Sequence, residues 1–129
     1  MDFVIRARSG QFDPNADVFI DEERGQVVVA VEIAGADPES LRIAFDGHHL
    51  VILGCRADAE RVRRGSFIQK EIASGAFAKR VPLPLAVDVS AVAARYTDGM
   101  LVIALPIAAT AYLPTSRTEI RLTVTRTFA

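Results

Sequence analysis

Over residues 26–33 every second side chain is aliphatic and β-branched: Val27, Val29, Val31 and Ile33 share one face, with Val28, Ala30 and Glu32 on the other. A period of two is that of a half-buried strand, and a helix would scatter the same residues around its axis. Leu41, Ile43 and Phe45 repeat the pattern against Arg42, Ala44 and Asp46, and residues 50–53 form an apolar run short enough for a strand buried on both faces. Turn chemistry separates these runs: residues 22–25 end on Gly25, residues 34–38 contain Gly35 and Pro38, and Asp46-Gly47 and Asp98-Gly99 are hairpin signals. Val, Ile and Thr contribute 31 residues, which favours strands throughout.

The rest of the chain follows the same rhythm. Residues 17–21 read as a first short strand, and residues 56–66 (RADAERVRRGS) as a polar excursion from the sheet. Alternation returns at 67–73, where Phe67, Gln69 and Glu71 oppose Ile68, Lys70 and Ile72, and predicts another strand. Further strands are expected at 75–83, at 89–96 and at 100–105, with Pro82 and Pro84 breaking the ladder between them. Short strands at this spacing, with no long helix, predict an all-β, immunoglobulin-like antiparallel β-sandwich. The expected organisation is a flexible amino-terminal arm over residues 1–16, one domain over 17–106 and a carboxy-terminal extension over 107–129. The extension holds a linker and a strand-like piece at 119–124.

Chemistry is scarce. Basic and acidic residues number 15 and 16, a balance that argues against nucleic acid as a partner. A single cysteine, Cys55, excludes an internal disulfide and any multi-cysteine metal site. Its neighbours supply no base, so it reads as an inert thiol. The adjacent His48 and His49 point to opposite sides of a strand, which suits a shared metal poorly. Arg61, Arg63 and Arg64 lie beside Asp58 and Glu60 and read as a solvated face. Neither a phosphate loop nor a nucleophile elbow is present. The first residues lack a secretory signal pattern, and the apolar tract at 100–113 is too short to span a bilayer. The expectation is a cytoplasmic non-enzyme without catalytic residues, cofactor or metal, and with neither nucleic acid nor membrane as a partner.

Five separated segments, taken together, resemble the α-crystallin domain of small heat-shock proteins. Ile33-Ala34-Gly35-Ala36 before Asp37-Pro38 is similar to the family's leucine-proline-glycine-valine loop. Residues 50–56 are similar to its strand ending in glycine-glutamate-arginine. Gly75-Ala76-Phe77 with Leu83-Pro84 resembles the glycine-x-phenylalanine stretch that closes on leucine-proline. Ala94 to Leu101 with Leu105-Pro106 resembles the alanine…asparagine-glycine-valine-leucine signature. Ile120-Arg121-Leu122 is similar to the carboxy-terminal isoleucine-x-isoleucine/valine/leucine motif. The likeness runs over residues 14–124. Ala34, Cys55, Lys79, Pro82 and Ile107 depart from the family pattern.

The resemblance implies an ATP-independent chaperone of the stress response, a holdase that binds partly unfolded or misfolded client proteins and slows their aggregation. It implies self-association as dimers and higher oligomers. Val62, Arg63, Arg64 and Lys79 are the implied dimer-interface residues, although lysine lacks the planar fork of the arginine usual at position 79. Ile120 and Leu122 are the implied docking tail. Its implied groove on a neighbouring dimer comprises Leu41, Ile43 and Phe45 with Val92, Ala94 and Tyr96. Phe3, Val4, Ile5 and Phe12 are the apolar groups of the arm implied to touch clients. A monomeric co-chaperone or adaptor of the CS-domain type is the alternative, which the tail motif and the 57–66 excursion oppose.

Overall fold

The alternation at 26–33 becomes β2 (Gln26–Glu32) and that at 41–46 becomes β3 (Arg42–Asp46) in a computed structural model that describes residues 12–57, 64–108, 118–120 and 123–124. Around them stand β1 (Asn15–Asp21), β4 (His49–Arg56), β5 (Gly75–Pro82), β6 (Ala93–Thr97), β7 (Met100–Pro106) and two short tail strands, β8 (Thr118–Ile120) and β9 (Thr123–Val124). They form two sheets in the orders β1-β2-β7-β6-β9 and β5-β4-β3-β8. All pairings are antiparallel except β9 on β6, which is parallel.

The core is what the period of two demands. Val27, Val29 and Val31 of β2 and Leu101, Ile103 and Leu105 of β7 face Ile43 and Phe45 of β3 and Leu50 and Ile52 of β4, all fully buried. Each such side chain contributes about 1.5–3 kcal/mol when withdrawn from water. Asp98 and Gly99 both adopt positive φ, 52° and 76°, as the tight hairpin between β6 and β7 requires. The loop after β2 is pinned from two sides. Ile33 N donates to Gly99 O at 2.8 Å, and Tyr96 Oη donates to Ile33 O at 2.7 Å while accepting from Ala36 N at 3.2 Å. Ser40 fastens the next turn to β4, its Oγ accepting from Cys55 N at 2.9 Å.

Four sequence expectations change. Residues 67–73 form no strand: Ile68 is fully exposed and Ile72 is 74% exposed, so their alternation meets no neighbouring edge among the described residues. At 89–96 only Ala93–Thr97 is extended. Val89–Ala91 is a 3-10 turn because the Asp88 carboxylate caps it, accepting from Ser90 N at 3.0 Å and Ser90 Oγ at 2.6 Å. The first strand begins at Asn15, two residues before the expected 17. Phe12, expected in a free arm, instead packs against the core and bridges Phe77 of β5.

The sandwich is thus strapped on both sides. On one side the chain leaves Phe12 at the β5 edge and enters β1 of the other sheet three residues later. On the other, β8 lies along β3 and β9 along β6, so the tail bridges the two remaining edges.

Candidate functional site

β1 closes only one of its own edges. It pairs with β2 from Asn15↔Glu32 to Asp21↔Gln26 and ends the sheet, so among the described residues nothing pairs with its other row of backbone groups. Phe19, at its centre, is 63% exposed, with Val18 and Ile20 also exposed. An open edge bearing apolar side chains is a template for another extended chain.

A second apolar surface lies on the segment after the polar excursion. Phe67, Ile68 and Ile72 all stand in solvent. The segment is nonetheless held at its far end by Arg56. That guanidinium donates to Ala73 O through Nε (2.9 Å) and Nη2 (2.6 Å), and to Ala34 O through Nη1 (3.1 Å). It also lies 4.4 Å over the centre of the Phe12 ring, which packs at 5.4 Å against Phe77. One side chain therefore joins the β2–β3 loop, the 67–74 segment and the root of the arm. Between the first two lies a cavity of about 720 Å³, lined chiefly by Ala34, Gly35, Arg56, Phe67, Ile72 and Ala73.

The residues expected to act fall out as follows. Leu41, Ile43, Phe45, Ala94 and Tyr96 are buried and Val92 packs at the core's margin, with the chain's own β8 and β9 on the β3 and β6 edges. The register sets Ile120 opposite Ile43. The two edges that flank the groove expected to receive a neighbour's tail are thus paired with strands of the same chain's tail; Leu122 lies outside the described residues. Lys79, expected at a dimer interface, forms an ion pair with Asp13 of its own chain at 3.3 Å. Arg64 is exposed, while Val62 and Arg63 lie outside the described residues. So do Phe3, Val4 and Ile5. Phe12 is partly buried, packed against the core rather than free in solvent.

Two residues organise the site in roles the sequence did not show. Arg56 ends the segment that resembles the family's glycine-glutamate-arginine strand, but nothing local announces Phe12, 44 positions earlier, as its partner. Tyr96 was expected in the groove for its ring, whereas its hydroxyl is what locks the β2–β3 loop. Among the described residues no group of three or more His, Cys, Asp or Glu is placed to hold a metal ion. No helix there is long and apolar enough to cross a membrane. Among the described residues the arrangement offers a strand edge with no partner, apolar side chains in solvent and two straps that join the sheets.

Comparison with known proteins gives these surfaces a setting. A model of the Hsp20/alpha crystallin family matches residues 19–123. A 19.0 kDa class II heat shock protein of Oryza sativa subsp. japonica is 31% identical over 105 residues, covering 77% of this chain and 60% of the rice protein. The chain thus spans less than two-thirds of that relative's length. Among solved structures, a small heat-shock protein from Xylella fastidiosa, described as having a distinct high order structure, is 28% identical with a TM-score of 0.65, covering 79% of this chain and 92% of that one. Heat shock protein 16.0 from Schizosaccharomyces pombe shares the fold at a TM-score of 0.72 and 24% identity, covering 80% of this chain and 72% of that one.

Proposed function

The chain belongs to the Hsp20/alpha crystallin family of small heat shock proteins, generally chaperones rather than enzymes, and from that premise we propose that it is an ATP-independent cytoplasmic holdase for partly unfolded proteins. The observation that supports this most is the pairing of an open β1 edge with solvent-exposed Phe19, Phe67, Ile68 and Ile72. Aggregating chains present unpaired strand edges and apolar patches. A surface offering both kinds of partner can cover them, and weak contacts suffice when several sites are linked in one assembly. Phe3, Val4 and Ile5 of the arm add to the client-binding surface.

The subunits are proposed to pair by exchange of the 67–72 segment onto the β1 edge of a second copy. This moves the exchanging strand of the dimer from the 57–66 excursion to the residues that follow it. Higher assembly is proposed to use the tail. Residues 107–117 span up to about 36 Å when extended, enough to carry β8 and β9 to the same β3 and β6 edges of a neighbour. Closure within one chain and closure between chains then use the same contacts.

Burial of Ile120 and Leu122 in such a docked tail would contribute about 3–6 kcal/mol before ordering costs. Ile120→Ala with Leu122→Ala is therefore expected to shift native mass toward dimers. An unchanged size distribution would show that the tail serves only its own chain. That closure favours a second reading, a monomeric adaptor module, which requires a monomer mass for the unsubstituted chain. The holdase reading itself is tested by client light scattering with the purified full chain and no nucleotide.

A further inference from the structure

Chain direction at the arm root, taken with the cavity beside it, carries an inference that reaches past the holdase reading. Phe12 bridges Phe77 in parallel, so at Phe12 the chain runs in the direction of β5, and Ala73 and Ser74 just before the start of β5 line the cavity of about 720 Å³. That volume is within the range that buries a drug-sized apolar group. Arg56 belongs to both places: it covers the Phe12 ring and lines the cavity while holding Ala34 O and Ala73 O on its two sides. The route from root to cavity is therefore one side chain long.

The chain upstream of Phe12 suits that cavity. Phe3-Val4-Ile5 is the single apolar triplet of residues 1–11. Six residues lie between Ile5 and Phe12, so seven steps span about 23 Å when extended, more than is needed to turn and re-enter. Gly10 has the freedom for the reversal. Arg6 and Arg8 follow the triplet, and Glu71 in the cavity lining offers a carboxylate of opposite charge.

We propose that Phe3-Val4-Ile5 docks in the cavity of its own chain, between the Ala34-Gly35 loop and the 67–74 segment. The 67–72 segment cannot both roof this cavity and pair with a second copy. Exchange of that segment therefore opens the cavity and frees the arm, coupling dimer formation to exposure of an apolar triplet. This consequence rests on the exchanged dimer proposed above; the docking does not.

The test places the photoreactive residue p-benzoylphenylalanine at Phe3 of the full chain, one aromatic side chain for another. Isotopically light and heavy subunits are mixed, irradiated across a concentration series and mapped by mass spectrometry. The docking predicts cross-links within one chain to residues 67–74 or 34–35 at low concentration, with a share that falls as dimers form. Cross-links to the other sheet, cross-links between light and heavy chains alone, or none at any concentration would overturn it. Sedimentation of the same samples separates the two claims: intrachain cross-links without any dimer leave the docking standing and remove the exchange.

Discussion

Phe77→Ala is expected to lower the unfolding free energy by about 3–5 kcal/mol, a large fraction of the ~5–15 kcal/mol available to a domain of this kind. Phe77 is fully buried on β5, opposite Gly54 of β4. Its ring fills the notch that Gly54 leaves, for a Cβ there would lie 2.6 Å from Phe77 Cζ and 2.8 Å from Leu41 Cδ2. Alanine leaves an apolar void among Leu41, Gly54 and Phe12. It also removes the ring on which Phe12 rests, and with it the support of the Arg56 guanidinium. Urea denaturation should show the midpoint falling by the amount that a loss of this size implies. A midpoint within experimental error of the parent would mean that the arm root and β5 are not coupled through this ring.

Ile68→Asp with Ile72→Asp is expected to abolish dimers while leaving the subunit folded. Both side chains stand in solvent in the isolated chain, so the exchange of apolar for charged groups costs the subunit little. In an exchanged dimer the same positions would be covered by a second copy. Each carboxylate then costs several kcal/mol to desolvate. Even about 4 kcal/mol for the pair weakens dimerisation roughly a thousandfold. Sedimentation should report monomers at concentrations where the parent is dimeric, with an unchanged denaturation midpoint for the subunit. Dimers of parental stability would place the interface elsewhere.

The parts of the molecule that were legible in the sequence are those where one strand's pattern is satisfied by its nearest neighbours. β2, β3 and β7 announce themselves because alternate residues enter a core and the others do not. Asp98-Gly99 announces its hairpin because two positive φ angles are costly for other residues. Residues 67–73 carry the same alternation but no edge among the described residues receives it, and periodicity reports what a segment can pair with rather than whether a partner is there. The 3-10 turn at Val89–Ala91 was hidden under alternating valines and alanines, because the Asp88 cap acts over two residues only. The straps were the least legible. Phe12 meets Phe77 and Thr118–Ile120 meets β3 across most of the chain's length, and no local pattern encodes such meetings.

Light scattering from a heat-unfolding model client, with and without the full chain and in the absence of nucleotide, tests the central claim most directly. The account predicts that scattering is suppressed in proportion to the amount of chain added, that ATP changes nothing, and that the client is recovered in a complex with the chain by native mass. Scattering that rises as fast with the chain as without it, or suppression that requires ATP hydrolysis, would contradict the account.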